Sequence, residues 1–142
     1  MSSPVDPSLA GCISSAFSTA ENSKINFRSF ILFIFIANAP DLDFLPGIIT
    51  GQPNLYHHGI SHSIGIGIVV SLILALVLNH KKSLAIAKNF WLYFSLYISH
   101  LFLDYLSVDG RPPAGIPVFW PISGEYFIFP FPILPPILHS QF

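Results

Sequence analysis

A run of nineteen residues, 60–78, contains no aspartate, glutamate, lysine or arginine. A helix of about 20 apolar residues spans the hydrocarbon core of a bilayer, so this run predicts a membrane helix. Of the 142 residues, 52% are hydrophobic and only 9% are charged, whereas soluble domains carry about 25% charged residues. The net charge of -1 excludes a nucleic-acid-binding protein with a basic surface. The apolar content excludes a disordered chain.

Other parts of the chain also suggest membrane segments. Residues 27–39 form a short apolar block that reaches spanning length only with its flanks or by tilting in a bundle. Residues 90–106 open with FWLYF, a composition suited to the membrane interface. Residues 8–20 suggest a short helix that is amphipathic or half-inserted. Residues 119–142, with five prolines, suggest a re-entrant or interfacial stretch. We expect one all-α domain over residues 1–142, a small membrane helical bundle of about three or four segments.

The basic residues predict the orientation of this bundle. Lys81, Lys82 and Lys88 lie between the second and third apolar blocks, and Lys24 and Arg28 come before or at the start of the first. By the positive-inside rule these positions face the cytoplasm. The opposite ends of the three blocks therefore face outward.

Ionisable residues at membrane depth are costly and usually functional. The chain carries them in three motifs, PDLD, HHGISHS and SHLFLD, and each lies at an outward end of an apolar block. The predicted topology therefore brings them to one membrane face, opposite the lysines. The residues concerned are Asp41, Asp43, His57, His58, His62, His100 and Asp104, with Asp109 close behind.

The spacing within two motifs predicts how their side chains point. His100 and Asp104 are four residues apart, which places both on one face of a helix, where they could hold one ion. Asp41 and Asp43 are two residues apart after Pro40. We expect extended chain there, with one carboxylate turned inward.

The histidine motif leaves two alternatives. His58 and His62 would share a face if the motif were helical, whereas His57 and His62 converge only if Gly59 marks a change from loop to helix. Imidazole and carboxylate together suit zinc, manganese or iron(II). The single cysteine, Cys12, excludes a site built from several thiolates. A mixed nitrogen and oxygen donor set favours a catalytic site with water-accessible positions.

Four motifs in this order resemble one bacterial family. PDLD, HHGISHS, HLFLD and GIPVFWP are similar to motifs of the membrane-bound, LexA-regulated metal-dependent hydrolases, and the resemblance covers about residues 37–128. That family is thought to be related to zinc-dependent phospholipase C and to the fungal single-strand nucleases.

The resemblance implies a set of metal ligands. It favours His57 over His58, which stands where the family usually has arginine, and it leaves His58 and Asp109 as further candidates. This chain departs from the family near its start. Family members usually carry a histidine there, whereas the corresponding residues, DPSLAG, contain no histidine. The implied ligands are Asp41, Asp43, His57, His62, His100 and Asp104.

The implied activity is metal-dependent hydrolysis in the bacterial inner membrane. Zinc, or alternatively manganese, would activate water, while one of Asp41 and Asp43 binds the metal and the other acts as general base. Ser61 and Ser63 would support His62 by hydrogen bonds. A site at the boundary between lipid and water suggests a lipid or lipid-linked phosphodiester as substrate.

Two other functions compete with this one. A metal site could simply staple three helices together without catalysis. Intramembrane histidine and aspartate could instead relay protons or metal ions in a transporter. No chain of ionisable groups continues toward the lysine side, which makes transport the weaker alternative.

Overall fold

The structure is a computed structural model that describes residues 27–51, 58–79, 83–107 and 114–131. In these ranges the regular structure is helical, apart from isolated β-bridge residues such as the antiparallel pair Ile116 and Phe127. The all-α prediction is therefore confirmed. The predicted helix over residues 8–20 lies outside the described residues. The helices are α1 Phe27–Ala37, a 3-10 turn Pro40–Asp43, α2 Phe44–Ile49, α3 Ile64–Asn79 and α4 Ser83–Leu106.

Helix α3 packs against α4 through a row of small residues. Gly67, Ser71 and Ala75 are spaced by one turn each, and all three are buried. A Cβ atom at Gly67 would lie 2.9 Å from Cδ1 of Tyr97 on α4. The absence of a side chain at Gly67 therefore lets the tyrosine ring lie directly on the α3 backbone.

Hydrogen bonds at both ends show that α3 and α4 are antiparallel. Asn89, near the start of α4, donates a 2.6 Å hydrogen bond to the side chain of Asn79, the last residue of α3. Tyr97, further along α4, donates one of 2.6 Å to the carbonyl of Ser61, just before α3. The start of α3 and the end of α4 therefore lie at the same end of the pair.

Helix α1 packs on α4 and then directs the chain toward that end. Its last turn is closed by the side chain of Asn38, whose Nδ2 donates a 2.7 Å hydrogen bond to the carbonyl of Ile34. Pro40 follows and cannot continue the helix in register. The buried core that joins α1, α3 and α4 contains Phe33, Ile36, Ala75, Tyr93 and Leu96.

The segment 114–131 is a non-helical hairpin. Ile116 and Phe127 exchange two backbone hydrogen bonds of 3.0 and 2.9 Å. Gly115 has φ +96°, and a Cβ there would lie 2.3 Å from the carbonyl oxygen of Phe127. Only glycine fits this turn. The prediction that residues 119–142 do not form a continuous helix is confirmed up to residue 131.

This hairpin holds α3 and α4 together at one end. The amide of Ile64, in the first turn of α3, donates a 3.0 Å hydrogen bond to the carbonyl of Val118. The amide of Phe129 donates one of the same length to the carbonyl of Tyr105 in the last turn of α4. The hairpin thus braces the helix ends that carry the histidine and aspartate motifs.

Helix α3 is shorter than the apolar run that contains it. Ser63 caps it, because its Oγ accepts a 3.3 Å hydrogen bond from the amide of Ile66 and donates one of 2.7 Å to the carbonyl of Ile60.

Among the described residues, no single helix meets both the length and the hydropathy needed to cross a bilayer. Helix α1 and the following stretch Pro40–Ile49 meet them jointly, with a bend of 60° between them.

Large apolar side chains cover the outward face of α3. Its buried residues are small, so the usual pattern of a soluble amphipathic helix is reversed. Close packing through small residues, with large apolar ones outside, is typical of helices in membranes. The exposed residues are Ile68, Val69, Leu72, Ile73, Leu76, Val77 and Leu78.

Candidate metal centre

The PDLD motif folds as a tight helical turn. Buried Pro40 begins it, and the amide of Asp41 donates a 3.1 Å hydrogen bond to the carbonyl of Asn38, three residues back. The expectation of extended chain here is wrong, because proline fits the first position of a helical turn as well as it fits a strand. With about three residues per turn, Asp41 and Asp43 leave the backbone in different directions.

The histidine motif approaches α3 as a loop. His58 has a φ of 60°, in the left-handed region that residues with a side chain rarely adopt. Such a conformation persists only where the surrounding structure fixes it. The ring of His58 lies 5.1 Å from that of His62, measured between centroids. The two rings therefore converge through a turn, and the helical spacing considered for them does not apply.

The His100 and Asp104 side chains meet on one face of α4, as their spacing predicts. His100 Nε2 lies 3.1 Å from Asp104 Oδ2. Both residues are almost completely buried. They face the loop that carries His62, because Tyr97, one turn earlier on the same face, contacts Ser61.

Four side chains from three parts of the chain form a ring of nitrogen and oxygen atoms. His62 Nε2 lies 3.5 Å from Asp41 Oδ1 and 3.3 Å from Asp104 Oδ2. His100 Nε2 lies 3.3 Å from the same Asp41 oxygen and 3.1 Å from the same Asp104 oxygen. We call these four candidate ligands the metal-ligand ring.

The dimensions of the metal-ligand ring fit a divalent cation. With sides of 3.1–3.5 Å, its centre would lie about 2.0 Å from each atom if folded as a tetrahedron and about 2.3 Å if flat. Zinc binds histidine nitrogen and carboxylate oxygen at about 2.0–2.2 Å. Oδ1 of Asp104 is buried without a hydrogen-bond partner in the described ranges, whereas Oδ2 of Asp104 and Nε2 of His100 contact other members of the ring at 3.1–3.3 Å. A buried polar atom without a partner is costly, and a cation bound beside Oδ2 would also offset the charge of this carboxylate.

The electrostatics around His62 also suit a cation. Burial alone would lower the pKa of its imidazole, but contacts with Asp104, Asp41 and Asp43 outweigh burial and raise the pKa well above the usual 6.5. Without a metal, the imidazole of His62 is therefore protonated at neutral pH, and its positive charge balances the negative charge of the carboxylates. A divalent cation would replace that proton as the positive charge among the carboxylates.

Asp43 contacts the other edge of the His62 ring. Its Oδ2 lies 3.1 Å from His62 Nδ1 and accepts hydrogen bonds of 2.9 Å from the hydroxyl of Ser61 and 3.2 Å from the amide of Gly59. The structure therefore places Asp43 beside the histidine loop, whereas Asp41 faces the metal-ligand ring. Of the two serines expected to support His62, Ser61 contacts it at 3.2 Å.

His58 lies next to the metal-ligand ring. It is 7% exposed, and one of its ring nitrogens lies within 4.8 Å of ligand atoms of His62 and Asp104. These three residues form a second group that could hold a metal ion, overlapping with the group formed by Asp41, His62 and His100. His58 is therefore placed where a further ligand could act.

A family model described as YdjM inner membrane protein matches residues 8–141 of this chain. The chain belongs to this family. Membership in the YdjM family agrees with a bacterial inner membrane protein of the LexA-regulated type that the motifs resemble. No curated protein and no solved structure gives a significant match.

The match to the YdjM family includes two candidate ligands that the structure does not describe. His57 and Asp109 lie outside the described residues, so their roles stay predictions. The sequence reasoning missed Tyr97, whose hydroxyl anchors the histidine loop. Tyr97 lies three residues before His100 on the same helical face, and this spacing could have predicted that it lies near the site.

Proposed function

We propose that this YdjM-family chain is a membrane-bound metal-dependent hydrolase that cleaves a phosphodiester or related ester at the membrane surface. The observation that supports this proposal is the metal-ligand ring, in which two imidazoles and two carboxylates converge. Such a mixed set suits zinc or manganese. It also suits catalytic centres, which combine protein ligands with positions left for water and substrate.

The four ring residues would hold the metal, and their unequal exposure suggests how they divide the work. When bound, a divalent ion lowers the pKa of water and polarises the ester oxygen. The side chain of Asp41 is 22% exposed, whereas that of Asp104 is 1% exposed. Asp41 is therefore the carboxylate of the ring that substrate and solvent reach most readily. Its Oδ1 would hold the metal, and we assign to its other oxygen, Oδ2, the acceptance of a proton from the attacking water.

Apolar side chains beside the ligands support a lipid substrate. Leu42 follows Asp41 directly, Leu45 is the second residue of α2, and Ile60 lies in the histidine loop. All three are at least 44% exposed. A lipid or lipid-linked phosphodiester would place its chains on this apolar surface while its head group reaches Asp41.

Metal analysis of the detergent-purified full chain tests the first half of the proposal. We expect bound zinc or manganese in the wild type, and its loss in His100→Ala and Asp104→Ala. Glu125→Gln removes an exposed carboxylate far along the chain and is the matched control. A correctly folded wild type that binds neither metal would overturn every metal-dependent function.

A hydrolysis assay tests the second half. The metal-loaded protein should cleave the chromogenic diester bis-p-nitrophenyl phosphate or a fluorogenic phospholipid in mixed micelles, and Asp41→Asn should abolish cleavage. Metal binding without cleavage of either substrate would favour the non-catalytic staple. That alternative is supported by one observation, the nearly complete burial of His62, His100 and Asp104. Metal flux into proteoliposomes would instead favour a transporter.

The orientation in the membrane is also a proposal. The metal-ligand ring lies at the start of α3 and the end of α4, so the end of α3 and the start of α4 lie at the other end of this pair. Lys81 and Lys82 come between these two helices in the sequence. We propose that this end faces the cytoplasm and that the centre lies at the outer face. A cysteine introduced by Lys81→Cys, in a Cys12→Ser background, should resist a membrane-impermeant thiol label in intact cells. Rapid labelling would reverse the orientation.

A further inference from the structure

Asp43 is surrounded differently from the carboxylates of the metal-ligand ring. A single oxygen, Oδ2, receives the Gly59 amide at 3.2 Å, the Ser61 hydroxyl at 2.9 Å and the Nδ1 edge of His62 at 3.1 Å. All three partners belong to the histidine loop, whereas Asp43 itself ends the 3-10 turn after α1. This one oxygen therefore fastens the loop to the turn.

The contact with His62 also decides which ring nitrogen can bind a metal. A carboxylate accepts hydrogen bonds, so the nitrogen facing Asp43 must carry its proton. Nε2 faces Asp41 and Asp104 in the metal-ligand ring. A cation bound among these carboxylates would take the place of the proton on Nε2 and leave the proton on Nδ1, toward Asp43. Asp43 thus orients His62 with its metal-binding atom toward the centre.

The second histidine of the ring lacks such support. Nδ1 of His100 is buried and has no hydrogen-bond partner in the described part of the chain. Its orientation relies on the helix that carries it. His62 comes from a loop, whose backbone constrains a side chain less than a helix does. This less constrained histidine is the one with a carboxylate partner, Asp43.

We infer that Asp43 is a positioning residue for His62, acting on the metal through the imidazole instead of binding the metal directly. This inference rests on the proposed function. It also reassigns one of the two aspartates expected to bind metal or act as base. A carboxylate behind a ligating histidine raises its basicity, and losing such a partner typically weakens metal binding about 10–100-fold.

Titration of the full chain with zinc in detergent, against a competing chelator, tests this inference. We expect Asp43→Asn and Asp43→Ala to keep the wild-type number of zinc ions per chain but to bind them about 10–100-fold more weakly. Asp43→Asn, which retains an oxygen acceptor, should lie between wild type and Asp43→Ala. Ser61→Ala removes one of the three donors to Asp43 and should have a smaller effect. Wild-type affinity in Asp43→Ala, or loss of a zinc ion in Asp43→Asn, would overturn it.

Cobalt spectra separate positioning from a general effect on folding. The visible absorption of bound Co²⁺ reports the ligand set, so Asp43→Asn should keep the wild-type band pattern, while the ligand variant Asp104→Asn should change or lose it. A changed pattern in Asp43→Asn would mean that Asp43 is itself a ligand. Thermal unfolding of each variant shows whether the chain is folded during the measurement.

A measurement without metal distinguishes failure of this inference from failure of the proposed function. In the metal-free protein, the Nδ1 proton of His62 should give a slowly exchanging, downfield proton resonance because Asp43 accepts it. Asp43→Ala should remove this resonance and leave those of the other histidines in place. Its persistence in Asp43→Ala would refute the positioning role, even if the wild type binds metal and hydrolyses esters. Its disappearance would establish the hydrogen bond between Asp43 and His62, and weaker zinc binding in the same variant would then support the positioning role.

Discussion

The hydroxyl of Tyr97 donates a 2.6 Å hydrogen bond to the main-chain carbonyl of Ser61, and so joins the middle of α4 to the loop before α3. Tyr97 lies one turn before His100, and Ser61 lies directly before His62. The bond therefore ties together the two chain segments that carry the histidines of the metal-ligand ring. It sets the spacing of these segments independently of any metal.

Replacing Tyr97 by phenylalanine should weaken both the fold and the centre. The Tyr97→Phe change leaves the Ser61 carbonyl without this donor in a partly buried place, which costs about 1–3 kcal/mol of unfolding free energy. Denaturant unfolding in detergent measures that loss, and zinc affinity should fall with it. Tyr126→Phe, at an exposed position, is the matched control. Equal stability of the two variants would contradict this role for the hydroxyl.

Adding a methyl group at Gly67 should displace the same tyrosine. In Gly67→Ala the new Cβ would lie 2.9 Å from Cδ1 of Tyr97, and the ring cannot swing away without breaking its bond to Ser61. We expect a loss of about 1–3 kcal/mol, typical of overpacking. Gly124→Ala, where no atom of the described residues lies within 4 Å of the new Cβ, should be nearly neutral. The double variant Gly67→Ala/Tyr97→Phe should lose less stability than the sum of the two single losses, because both changes disturb the same contact.

Metal should stabilise the chain in proportion to its occupancy of the centre. A ligand at 100 times its dissociation constant stabilises the folded state by about 2.7 kcal/mol if it binds only that state. Zinc should therefore raise the thermal unfolding temperature of the wild type, and a chelator should reverse the rise. His100→Ala should show no zinc-dependent shift. A shift of wild-type size in His100→Ala would place the metal elsewhere in the chain.

Metal affinity should increase with pH. Contacts with three carboxylates raise the pKa of His62 well above 6.5, so the metal-free imidazole still carries its extra proton at neutral pH. Because a metal binds the neutral ring, binding at pH 7 should release about one or two protons. Calorimetric titrations in buffers of different ionisation enthalpy count these protons. If metal binds with no release of protons, the prediction that it displaces a proton from His62 is wrong.

Periodic features of the sequence predicted the helical parts of the structure well. The four-residue spacing of His100 and Asp104 places both in the metal-ligand ring because α4 is regular there. The prolines of residues 119–142 predicted the lack of a continuous helix, which the structure confirms for residues 119–131. These predictions succeed because they depend on local backbone geometry.

The parts that sequence reasoning missed depend on contacts between distant segments. The PDLD motif allowed both an extended chain and a helical turn, and only packing beneath α4 decides between them. The left-handed φ of His58 is stabilised by its surroundings, which no short motif encodes. The different roles of Asp41 and Asp43 follow from which edge of His62 each one faces.

The metal-ligand ring draws its atoms from the turn after α1, the loop before α3 and the last turns of α4. No pair of these segments supplies all four ligands. During synthesis, Asp41 and His62 emerge well before His100 and Asp104, so the full set exists only once α4 has docked on the earlier helices. If the ring binds a metal as proposed, the metal content of a preparation would therefore measure the fraction of chains in which α4 has docked.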